Sequence, residues 1–87
     1  VEGHTDNVPY VSEGMVKDNW DLSVMRATSI VKILTNNKGL NALNITAAGR
    51  GPYSPLLDND SPENRAVNRR IEIILSPNID ALLNLLE

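Results

Sequence analysis

Eighty-seven residues make one small domain, near the size at which a single hydrophobic core leaves only marginal stability. With one Trp, two Tyr, no Phe and no Cys, the core must be aliphatic, and a disulfide framework and thiolate metal sites are excluded. A formal net charge of −3, with both signs spread along the chain, speaks against nucleic acid as a partner, because phosphate neutralisation needs a basic face.

In chain order, residues 1–5 predict a short strand, with Val1 and Gly3 on one face and Glu2 and His4 on the other. Asp6-Asn7-Val8-Pro9 breaks it, since Asn and Asp favour turns and Pro lacks a donor. A loop containing Gly14 follows. Asp18 or Asn19 then offers a helix N-cap. From there Trp20, Val24, Ala27, Val31 and Leu34, with Ile30 alongside, form one apolar face of a helix over residues 19–36. Polar residues and Gly39 end it. Residues 43–47, Leu-Asn-Ile-Thr-Ala, alternate and predict a second strand. Gly49, Gly51, Pro52 and Pro55 open a long irregular loop. Ser61 as N-cap with Pro62 at the first helical position predicts a short helix through Val67. Residues 70–75 predict a third strand with Ile71 and Ile73 toward the core and Arg70 and Glu72 facing out. Ile79, Leu82, Leu83 and Leu86 lie on one face of a C-terminal helix. No apolar run approaches the ~18 residues needed to span a membrane.

The helix between the first two strands makes a βαβ crossover, so those strands should be parallel. The expected fold is a two-layer α/β sandwich: a small mixed sheet with helices on one face.

Most candidate sites have plain structural readings. His4 and Asp6 at i and i+2 are too few for a metal site, and no further His or Cys exists. Asp58, Asp60 and Glu63 lack the Gly and the bidentate Glu of a calcium loop; capping of the helix that follows explains them better. Gly49-Arg50-Gly51 lacks the Lys-Ser/Thr of a phosphate loop. Ser23 and Ser29 sit on a helix with a single distant His and no nucleophile elbow, so no enzyme is expected, and neither metal nor cofactor.

Asp6 and Arg26 differ from these. Asp6 ends a strand, and Arg26 lies seven residues after Asn19, so it returns to nearly the same helix face. In βαβ units the strand end and the next helix border one crevice, where such folds bind ligands. One carboxylate and one guanidinium fixed there suit a guest carrying both an ammonium and a carboxylate, and Arg forks bidentately onto the latter. A surface ion pair is the plain alternative.

Four blocks then carry a resemblance: Gly3-His4-Thr5-Asp6; Asn19-x-x-Leu22-Ser23-x-x-Arg26-Ala27; Gly49-x-Gly51 with Pro55; and Asn64-Arg65-Ala66-x-Asn68-Arg69-Arg70-Ile71-Glu72. In this order they resemble the OmpA-like peptidoglycan-binding domain. The Trp20 version of the second block, with Thr5-Asp6-x-Val8-Pro9, resembles its MotB-type branch. The resemblance implies a non-catalytic domain that clamps the diaminopimelate of a peptidoglycan stem peptide. Asp6 would take the amino group and Arg26 the carboxylate. Thr5, Asn19, Leu22 and Ser23 would line the same pocket. One of Arg69 and Arg70 would join them; alternation leaves the choice open, and Arg70 is carried over. The resemblance further implies a βαβαβ fragment, residues 1–87, lacking the family's first strand and helix. It implies a place on the periplasmic side of the cell envelope in a membrane-anchored parent: an outer-membrane protein or, alternatively, a flagellar motor stator. The loop from Val8 to Lys17 is longer than in many relatives. The apolar C-terminal helix leaves a homodimer open.

Overall fold

The computed structural model describes residues 1–76 and 83–86. Its elements are β1 (Glu2–His4), α1 (Asn19–Asn37), a 3₁₀ turn (Ala42–Asn44), β2 (Ala48–Gly49), α2 (Pro62–Asn68) and β3 (Arg70–Glu72). The sheet order is β2-β1-β3, with β1 parallel to β2 and antiparallel to β3. The central strand thus comes first in the chain, and the predicted parallel crossover is present.

The Asp18 side chain caps α1 by accepting from the Asp21 amide. At the other end the Leu40 amide returns to the Leu34 carbonyl, with Gly39 between. α1 packs on β1 and β2, and Gly3 is the reason it can lie so close. A Cβ at Gly3 would run into the backbone of Ser23, so only Gly permits this approach. Gly3 pairs with Ile71, which places Ile71 on the α1 side of the sheet. Glu2, His4, Arg70 and Glu72 share the opposite face. Among the described residues Ala27 is the one fully buried hydrophobic side chain. Val31, Leu34 and Ile30 are half-buried, whereas Trp20 and Val24 are exposed. No described helix is long and apolar enough to cross a membrane.

Two expectations need correction. The predicted strand at residues 43–47 is a 3₁₀ turn followed by coil, and β2 starts only at Ala48. Asn41 explains the turn: its side chain accepts from the Leu43 amide and starts a local winding that competes with strand pairing. β3 also stops at Glu72, and Ile73 is 61% exposed rather than in the core. The short helix is as predicted, capped by Ser61 accepting from the Asn64 amide, with Pro62 opening it. Of the C-terminal helix face, Ile79 and Leu82 lie outside the described residues; Leu83 and Leu86 are exposed.

Candidate functional site

Asp6 lies two residues beyond β1 and is nearly buried, 7% exposed. Its two carboxylate oxygens have separate duties. Oδ1 accepts from the Val8 amide at 3.0 Å, an Asx-type turn that reverses the chain before Pro9. Oδ2 accepts from Arg69 Nη1 at 2.6 Å, a charge-assisted pair. Arg69 stands between α2 and β3, so β1–β3 pairing brings it to Asp6 across 63 residues of sequence.

The neighbours fix this arrangement. The Thr5 amide donates to the Gly51 carbonyl, and its hydroxyl donates to the Asp6 carbonyl. Asn19, the first residue of α1, reaches over with its amide to the carbonyls of Asp6 (3.5 Å) and Val8 (3.1 Å). Ser23 is fully buried underneath. Its hydroxyl donates to the Trp20 carbonyl and accepts from the Gly51 amide. Gly51 adopts a positive φ of 59°, a conformation that Gly takes without a steric penalty. Leu22 is half-buried on the same helix.

Arg26 is half-buried two turns after Asn19, about 10 Å along the helix axis. The seven-residue spacing puts Arg26 on nearly the same face of α1 as Asn19. Among the described residues it has no ion-pair partner. The structure thus brings together Thr5, Asp6, Asn19, Ser23 and Arg69, with Leu22 and Arg26 on the adjoining helix face.

Arg70 does not join them. Its guanidinium lies on the opposite sheet face, bonded to Glu72 (2.7 Å) and to the carbonyls of Asn68 and Ser54. The sequence held a signal for which arginine meets Asp6. Gly3 must face the helix, Ile71 shares its face, and Arg69 is two residues from Ile71.

The face that holds Arg70 carries the one grouping with metal-ligand chemistry among the described residues, Glu2, His4 and Glu72. His4 is 2% exposed, and its Nε2 lies 3.2 Å from Glu2 and 3.7 Å from Glu72. Arg50 and Arg70 already balance the two carboxylates. A metal on Nε2 would also move the ring proton to Nδ1, which is buried without a partner, whereas metal-bound His normally donates from its second nitrogen. The grouping fits an ion-pair network better than a metal site. The hydrogen bond from Arg70, with its charge, holds the Glu72 carboxyl below the usual carboxylate range. At the other candidate, Asp60 accepts from Asn64 on the first turn of α2.

A βαβ unit with a buried strand-end aspartate, an arginine paired to it and an arginine on the facing helix defines a class of small α/β domain. The family model described as OmpA family matches residues 1–69, and the chain belongs to that family. It is 40% identical over 77 residues to Motility protein B of Bacillus subtilis, covering 88% of this chain and 29% of that protein. It is 40% identical over 72 residues to Outer membrane porin F of Pseudomonas aeruginosa, covering 83% of this chain and 19% of the porin. The chain therefore spans less than a third of these relatives. Among solved structures, the cell wall anchor of the type VI secretion system from Pseudomonas aeruginosa superposes with a TM-score of 0.70 at 38% identity, over 78% of this chain and 46% of the anchor.

Proposed function

We propose that this chain is a non-catalytic peptidoglycan-binding module that holds the diaminopimelate head group of a stem peptide. The observation that carries the reading is the arrangement around Asp6: a nearly buried carboxylate oriented by Val8 and Arg69, with Arg26, which has no ion-pair partner among the described residues, on the adjoining helix face. A carboxylate offers about four lone-pair sites, and two are taken, so an ammonium can add without displacing Arg69. Arg26 and the half-exposed Arg69 then face the ligand carboxylate. Thr5, Asn19, Leu22 and Ser23 hold the walls. The name of the secretion-system relative, a cell wall anchor, supports a wall ligand.

The parent protein would sit in the envelope with this domain on the periplasmic side. Similarity to Motility protein B favours a second form of the reading, in which the domain anchors a motor stator to the wall. Retention by purified sacculi tests the clamp. Asp6→Ala and Arg26→Ala should each lose retention while keeping the wild-type circular dichroism. Retention unchanged in both would overturn the reading.

A further inference from the structure

Past the paired residues of β1 and β2 the parallel ladder continues toward Asp6. The Arg50 amide donates to the Gly3 carbonyl, and the Thr5 amide donates to the Gly51 carbonyl, each at 3.0 Å. The Thr5–Gly51 bond is the last of these rungs, one residue before Asp6. Gly51 is buried, and its own amide donates to the Ser23 hydroxyl at 3.0 Å, so this one glycine joins the central strand to α1. Its positive φ of 59° also begins a sharp turn, which the Tyr53 amide closes on the Arg50 carbonyl at 3.4 Å. Two rings cover that turn. Trp20 and Tyr53 pack with centres 4.9 Å apart and planes inclined at 34°, and a Cβ on Gly51 would touch each at 3.4 Å. Trp20 is 48% and Tyr53 69% exposed, so they add little to the core; what they cover is the turn.

We propose that Trp20 and Tyr53 are positioning residues of the site: they shield the Gly51 turn and thereby fix the rung that precedes Asp6. The inference rests on the stem-peptide reading above. A glycine has no side chain of its own to keep water off its peptide groups. Water that reaches them competes for the Thr5 amide and the Ser23 hydroxyl, whereas an aromatic cover lowers the local dielectric and strengthens both bonds. The rings act on Asp6 through the Thr5 backbone. With the rung loosened, Thr5 and Asp6 shift relative to Ser23 and Arg69, and a binding constellation tolerates only about 0.5 Å of such error. Neither ring need touch the guest.

The test measures the affinity of a free stem peptide containing diaminopimelate by calorimetry, and amide hydrogen exchange by NMR. Tyr53→Ala should weaken peptide binding roughly three- to tenfold, the worth of an aromatic pair, while keeping the wild-type circular dichroism. Tyr53→Phe, which keeps the ring, should restore wild-type affinity. Coupling is reciprocal, so in the wild type the peptide should slow exchange at the Thr5 and Gly51 amides by about the same factor, and at the Asn64 amide of the α2 cap by less. Wild-type affinity in Tyr53→Ala, a loss that Tyr53→Phe shares, or exchange at Thr5 and Gly51 unaltered by the peptide overturns the inference and leaves the clamp standing. Should Tyr53→Ala unfold, the exchange measurement on the wild type decides alone. A wild type that binds no peptide overturns the clamp itself, and the inference with it.

Discussion

Asn68 is fully buried and uses its whole amide. Its oxygen accepts from the Leu56 and Leu57 amides, and its nitrogen donates to the Leu57 carbonyl and to Asn59. One polar side chain thereby ties the loop before α2 to the residue that precedes Arg69. Asn68→Ala would leave two backbone amides without partners, a loss of about 2–4 kcal/mol. A urea midpoint lowered accordingly, at unchanged slope, checks this. Sacculus retention should fall with it, because Arg69 loses its support. At this scale the placement of Asp6 just past a strand end, with Asn19 and Arg26 on one face of the next helix, was legible in the sequence from the strand-breaking Asp-Asn-x-Pro and the seven-residue spacing. The Asp6–Arg69 pair was harder to read. It depends on which face of β3 meets the helix, and two adjacent arginines differ in that respect alone. The Trp20–Tyr53 contact was not legible, because it joins a helix to an irregular loop.

Among the elements, α1 and α2 were readable because each carries its own capping signal, a side chain accepting from an amide three residues on. The second strand was not. Alternation in residues 43–47 belongs to a local turn set by Asn41, and true pairing needs the Val1 carbonyl, which receives the Ala48 amide. The outer sheet face adds a pH dependence. Glu72 is held below its ordinary pKa first by the hydrogen bond from Arg70, with Coulombic help from Arg70, His4 and Arg50. A depressed carboxylate contributes stability above its unfolded pKa, about 4.3, and loses it as pH falls through the lower folded value. Glu72→Gln should therefore narrow the gap between urea midpoints at pH 7 and pH 3. An unchanged gap would show that Glu72 has no part in the acid sensitivity.

For the molecule as a whole, the proposed clamp would rest on two charge-assisted contacts. Together they would contribute about 3–6 kcal/mol before association costs, so one site alone would bind weakly, with a Kd no tighter than on the order of 0.05 mM. Hold on a polymeric wall then comes from number. A tandem fusion of two copies, joined by a linker that spans neighbouring stems, should be retained at least about a hundredfold better than one copy; equal retention would mean that one site alone holds the wall. The site's location also decides how a load enters the fold. Asp6 continues β1, the central strand, which is bonded to β2 on one edge and β3 on the other. A tug on Asp6 along the strand axis pulls across both ladders at once, so their bonds must slide together rather than peel apart one by one. On the proposed reading, a load from the wall would enter through the one strand that both ladders hold.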